Sequence, residues 1–422
     1  MHQFTPDTAA ALPGPSWLRK RRTEAAERFG AGSMPTPHAE EWRYSPIDDL
    51  DLERFSIDGA EPVALPDRFE LGVTPAATVE IGNDRVLRVD VDDEVRAAGV
   101  RVSVIDSGHA DAEGSDALGH VADGAADHFS ILNDAFTRAP VVIDVPAGVG
   151  LDRPIVVRHH VSGDGAASFP RLVVRVGRDA DARVLDVVTS APGDRVLVCP
   201  VVELDVDAAG RLGYLNVQLL GDGAWQIASH VARAERDSTL IAASAGFGGS
   251  YARTRADTRL VGRGASGELL SMYFGEGDQT LDFRTYQDHV APDTTSNLLY
   301  KGALGDRARS VYTGLIRVRP DASGTNAFQT NRNLKLSNEA WAESVPNLEI
   351  ENNDVRCSHA SAVGPVDPEQ VFYLESRGVP SDVAERLIVA GFFDEVLTSL
   401  PVPSMVPALR ACVAAKLARM AT

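Results

Sequence analysis

The chain has 422 residues, 44% of them hydrophobic and 24% charged, which fits a globular protein with a sizeable core and excludes a disordered or fibrous one. Its 41 basic and 60 acidic residues leave a net charge of −19, a balance that repels phosphate backbones and anionic lipid and argues against nucleic-acid or membrane-surface partners. Three scattered cysteines, Cys199, Cys357 and Cys412, do not make a disulfide framework, no apolar run approaches the ~18 residues of a membrane span, and no basic-then-apolar leader opens the chain, so a cytoplasmic protein is expected.

Taken in chain order, residues 1–135 are mixed in pattern. The spacing of Leu18, Ala25, Ala26 and Phe29 predicts a helix over 17–29, with Ser16 as its cap. The basic run Arg19-Lys20-Arg21-Arg22 on that helix reads as a solvated face. Short strand-like pieces follow between residues 79 and 104.

Residues 136–365 have a different texture: β-branched runs such as Arg171-Leu172-Val173-Val174-Arg175-Val176, separated by Asp, Gly and Ala turns. The turns recur at Asp179, Ala209, Asp237, Gly264, Asp293 and Asp321, separated by 30, 28, 27, 29 and 28 residues. Further turn signals fall about midway, at Asp194, Asp222, Gly249, Asp278 and Asp306. A period with a half-period predicts a coil of two main strands per turn, stacked as a parallel β-solenoid, right-handed by the crossover rule. An antiparallel sandwich or barrel would also show closely spaced strands.

Residues 366–422 turn helical. Asp367 with Pro368 and Gln370 reads as a capped helix start, and Gly378 as its stop. A second helix opens at Pro380-Ser381-Asp382, with Val383, Leu387, Ile388, Phe392, Val396 and Leu400 as its inward stripe, and Pro401 ends it. A third follows Pro407 with Leu409, Val413, Leu417 and Met420. The aromatic pairs Phe372-Tyr373 and Phe392-Phe393 exceed what a small helical cap needs and leave room for a partner surface.

Chemistry-bearing motifs are sparse. Gly262-Arg263-Gly264-Ala265-Ser266-Gly267 matches a dinucleotide pattern, but the residues after it read as a strand rather than a helix, so it is taken as a turn. The chain has no Walker-type loop and hence no expected ATP site, no G-x-S-x-G elbow, and no CxxC or HExxH spacing. No pair of acids stands out as a sugar-cleaving site. One constellation remains, Asp354-Val355-Arg356-Cys357-Ser358-His359. On a strand, Cys357 and His359 share a face, where a thiolate and an imidazole can reach one soft or borderline metal. A buried structural cysteine beside a hydrogen-bonded histidine fits the same spacing, and two ligands alone do not complete a site.

Several longer segments carry a resemblance: NAFQTNRNLKLS, SVPNLEIENNDVRCSHASAVGPVDPEQVFYLESRG and AERLIVAGFFDEV, with HVAPDTTSNLLYKGAL, SVYTGLIRV and, near Trp42, EWRYSPI upstream. Together they resemble the SufB/SufD family of iron–sulfur cluster assembly proteins across all three regions. Aligned on Val345-Pro346, the cysteine of SufB-type chains falls at Ala340. Ser358 and Ala360 flank His359 where SufB-type chains carry glutamates. The Cys-Ser-His form resembles the SufD type, although SufD chains usually have Gly at the position of Ala360. The resemblance implies a right-handed parallel β-helix with helical N- and C-terminal parts. It implies a non-catalytic scaffold that pairs with a SufB-type paralogue and recruits a SufC-type ATPase through its C-terminal helices, where Phe372, Tyr373, Arg377, Phe392 and Phe393 are candidate contacts. Transient iron or a nascent cluster would meet His359, and less strongly Cys357, at the shared interface. A homodimer in isolation, a SufB-like subunit that builds a cluster alone, and a β-helix carbohydrate-active enzyme are the competing expectations.

Overall fold

The computed structural model describes residues 3–57, 65, 72–105, 116–122 and 127–420. Two long sheets face each other and are built by a chain that winds back and forth between them for about eight turns. One sheet has ten strands and ends at Val355–Pro365; the other has eleven and ends at Trp341–Ile350. Successive turns pair in parallel without a register slip, as between Thr280–His289 and Arg309–Val318. The fold is therefore the solenoid that the turn period predicts, not an antiparallel sandwich. The first sheet reaches back to Ala77–Gly82, which pairs in parallel with Ile155–Val161, so the solenoid takes in part of the stretch whose sequence pattern is mixed.

Local backbone preference explains the turns. Asp179, Ala209, Asp237, Asp293 and Asp306 have φ between 48° and 58°, the left-handed region that short polar residues tolerate best among residues with a side chain. At three of the expected turns the left-handed residue is a nearby glycine, Gly193 beside Asp194, Gly277 beside Asp278 and Gly324 after Asp321, because glycine takes that conformation without a Cβ clash. The displaced aspartate is then free to bond the next coil: Asp278 accepts from Arg307 at 2.7 Å.

The interior changes character along the axis. At the N-terminal end it is largely apolar, with Val79, Ile155, Val157, Val174, Val184 and Leu204 in one cluster, and its inward-facing Asp186 is bonded by Tyr214 and Asn216. Fully burying one of these apolar side chains contributes about 1.5–3 kcal/mol. Towards the C-terminal end, aromatic and polar groups replace these. Tyr273 donates to Asn333 at 2.7 Å, Asn333 donates to Asn331 at 2.9 Å, and His289 is held between Thr294 and Ser296, both at 2.8 Å. These bonds, within a strand or between neighbouring ones, remove most of the desolvation cost of the groups they join.

The N-terminal helices pack on the outside of the second sheet. The first long helix runs Ser16–Ala31, and Ser16 is its first residue rather than its cap; Pro15 holds the cap position with no side-chain bond. Nor is the basic run a solvated face throughout. Arg22 is fully buried and donates to the carbonyls of Thr137, Pro13 and Arg138, and burial pulls its pKa down to about 10. Arg21 pairs with Asp134 at 3.0 Å, leaving only Arg19 and Lys20 exposed. The EWRYSPI segment is a strap across the second sheet. Trp42 lies under the Arg253 guanidinium at 4.0 Å, Arg284 donates to the Arg43 carbonyl at 2.8 Å, and Tyr44, at φ 67°, stacks near Trp341 on the terminal strand at 5.6 Å.

The C-terminal part has three main helices, Pro368–Glu375, Ser381–Leu397 and Val406–Met420, the last two docked on the outer face of the first sheet. Asp367 caps the first by accepting from the Glu369 N–H, without the reciprocal Gln370 bond of a capping box, and Gly378, at φ 86°, follows it. The second ends at Leu397, before Pro401, and its buried residues are Ala384, Val389, Phe393, Val396 and Leu397. Val383 and Leu387, expected inside, are exposed. This helix is apolar on two sides, so the stripe that docks was not unique in the sequence. The third helix buries Leu409, Val413 and Leu417 as its spacing predicts.

Candidate functional site

The two ends of the solenoid are finished differently. At the N-terminal end, antiparallel strands close both sheets: Arg85–Val91 against Ala77–Gly82, and Arg101–Val104 against Val141–Val145. At the C-terminal end, Trp341–Ile350 and Val355–Pro365 are both terminal in their sheets, with nothing among the described residues paired beyond them. An uncovered parallel edge is a template for another chain.

Cys357 and His359 lie on that last strand, which confirms the strand assignment on which their shared face depends. They stand in register with Ala327 and Gln329, which are buried, so both belong to the inner face of the final coil. With no further coil above, this inner face opens to solvent. His359 is exposed and makes no hydrogen bond to a described residue. Cys357 is half-buried and packs beside Leu348 and Val355 against Ile316 and Ala327. Burial pushes its thiol pKa up, so the group is neutral at neutral pH and becomes a metal ligand only by losing a proton.

Among the described residues no cluster of three or more His, Cys, Asp and Glu side chains is placed to hold a metal ion. His359 and Cys357 are therefore a partial donor set, open on the outward side. Ala340, where SufB-type chains carry a cysteine, is buried against Leu304 and Ala308 and offers no donor. The Gly262–Gly267 segment is a turn that leads into the strand Ser266–Gly275, with no helix to receive a phosphate.

The aromatic candidates divide. Phe372 is 70% and Tyr373 58% exposed, and Leu387, on the facing helix, is 53% exposed. Arg377, also exposed, stacks over the Tyr373 ring at 5.2 Å. A groove of about 600 Å³ runs beside them, lined by Lys335, Leu336, Val371, Phe372 and Glu375 among others. Phe393 does not belong to this surface: it is fully buried against the first sheet. Phe392 is half-buried under Lys301, whose ammonium sits 4.7 Å from the ring. Both are occupied in docking the helix, because their stripe is the one that faces the solenoid. Val383 and Leu387 were missed as surface residues; the second apolar stripe on their helix was the available signal.

The family model for the SUF system FeS cluster assembly SufBD core domain matches residues 159–392, more than half of the chain. The chain belongs to the SufBD family of iron–sulfur cluster assembly proteins. An iron–sulfur cluster assembly SufBD family protein of Mycobacterium tuberculosis is 38% identical over 297 residues, covering 68% of this chain and 72% of that one. The SufD proteins of Escherichia coli and Bacillus subtilis are 26% and 27% identical, covering 87% and 92% of this chain and 85% and 91% of theirs. The matched stretch of the SufBD model contains the bare terminal strands, His359 and the exposed aromatic pair. No helix among the described residues is long and apolar enough to cross a membrane.

Proposed function

We propose that this chain is a SufD-type scaffold subunit, not a free-standing enzyme, that acts in the cytoplasm within an ATPase-driven assembly complex. The bare end of the solenoid pairs with a SufB-type paralogue. The exposed surface around Phe372, Tyr373, Arg377 and Leu387 recruits a SufC-type ATPase. His359 offers an imidazole to iron or to a nascent cluster at the seam, with Cys357 as a secondary donor.

The observation that carries this reading is the placement of His359: exposed, without a hydrogen-bond partner among the described residues, on a strand whose outer edge is unpaired. A neutral imidazole binds iron yet exchanges, which suits cargo that must move on. A partner that extends both sheets would bring its own donors to the open side and complete the ligand set. The chain has no Walker-type sequence, so the nucleotide chemistry falls to the partner. A second copy of this chain can occupy the same edge when the paralogue is absent.

The test is co-expression with SufB-type and SufC-type partners, followed by anaerobic cluster formation. His359→Ala is expected to leave the purified complex intact and abolish cluster formation. An unchanged cluster yield in that variant removes the ligand role.

A further inference from the structure

Gln329 is 1% exposed, yet neither Oε1 nor Nε2 of its side chain has a hydrogen-bond partner. Leaving such atoms unpaired costs about 1–3 kcal/mol each, so the group calls for an account. Gln329 sits on the inner face of Thr325–Lys335, directly in register with His359 on the terminal strand. Neighbouring strands lie about 4.8 Å apart, so the two side chains are stacked on one face.

None of the other neighbours bonds the amide. Below it in register is Leu298. Beside it, Asn331 is committed to Tyr273, to the Tyr300 carbonyl and to Asn333. Across the interior the amide rests on Gly314, where an added Cβ would lie 2.1 Å from Nε2. Tyr312 shares that spot but already pairs with Thr285. Ser344, one coil above Tyr312, has a third orphaned buried atom, its Oγ. Unspent hydrogen-bonding capacity thus collects at the root of the one exposed imidazole on the open end.

We propose that Gln329 is the positioning residue for His359: rotation of the exposed ring brings one ring N–H to the side-chain carbonyl, which fixes the tautomer and turns the other nitrogen, with its lone pair, outward. A metal-binding histidine commonly donates its second ring N–H to a carbonyl or carboxylate, which sets ring orientation and raises ligand basicity. The role toward iron rests on the function proposed above; the control of the ring does not.

The experiment uses the full chain with ¹⁵N-labelled histidine. The His359 ring signals are assigned among the 10 histidines by their loss in His359→Ala. In the native chain one tautomer should dominate. Gln329→Leu and Gly314→Ala, the second by pushing the amide aside, should both give a mixture, and Gln329→Glu should restore a single form. In anaerobic titration with ferrous iron, Gln329→Leu should weaken binding about 10–100-fold. Because the His359 ring is exposed and can bond water instead, Gln329→Leu should change the melting temperature little, and Gly314→Ala supplies the tautomer readout if it changes it more. Identical tautomer populations in the native chain and the variants overturn the proposal. A changed tautomer together with normal cluster formation in His359→Ala overturns the iron role instead and leaves the positioning intact.

Discussion

The two ends of this solenoid are made of the same repeating coil and differ in how they stop. The N-terminal end has a largely apolar interior and antiparallel strands over both sheet edges. The C-terminal end has a polar, aromatic interior and, among the described residues, leaves both edges bare, with Phe328, Ile350 and Val363 each more than 40% exposed. A chain that needed only to be stable would close both ends alike, since an open edge invites aggregation. The asymmetry teaches that one end is finished within the fold while the other leaves its last strands open.

The comparison breaks most sharply if the same substitution is made at each end. Val157→Asp places a second buried carboxylate in register with Asp186 at the sealed end and should cost about 4 kcal/mol or more, read by urea unfolding. Acid titration tests the polar half. Burial lowers the His289 pKa to about 4, with Asp288 opposing that shift. The folded state therefore resists a proton that the unfolded chain takes up near 6.5. Its stability contribution is complete above that pH and falls as pH drops towards 4, by up to about 3 kcal/mol. His289→Gln should flatten this part of the pH–stability curve; an unchanged slope would mean that the histidine is not held neutral. Phe372→Ser with Leu387→Ser should shift stability by less than about 0.5 kcal/mol while abolishing ATPase capture in a pull-down. Smallest of all for folding is Val363→Asp, the counterpart of Val157→Asp on the open face. It should also stay within about 0.5 kcal/mol, yet prevent copurification with the paralogue. A large destabilisation there would show that the open end is part of the core.

Much of the fold was legible because its signal is local. A left-handed turn needs Asp, Asn or Gly, and those residues at regular intervals mark the coils wherever they fall. The site was legible in part: the strand containing Cys357 and His359 could be read, and its position as the last strand could not. Gln329 shows why. In Thr325–Lys335 the inward residues include Gln329, Asn331 and Asn333, while Phe328 points out, the reverse of ordinary patterning. Only the neighbouring coils, which supply Tyr273 and Tyr300 as partners, make those polar residues interior ones. Arg22 and the docking stripe of Ser381–Leu397 were misread for the same reason, since each depends on what lies across from it.

The sequence by itself determined the coil period, the helical ends and the Cys-Ser-His strand, because backbone preference and side-chain alternation act over a few residues. Tertiary structure alone decided which polar residues are buried, which helix face docks and which end stays open. Those outcomes depend on partners some 30 residues away or more, at distances that local pattern does not reach.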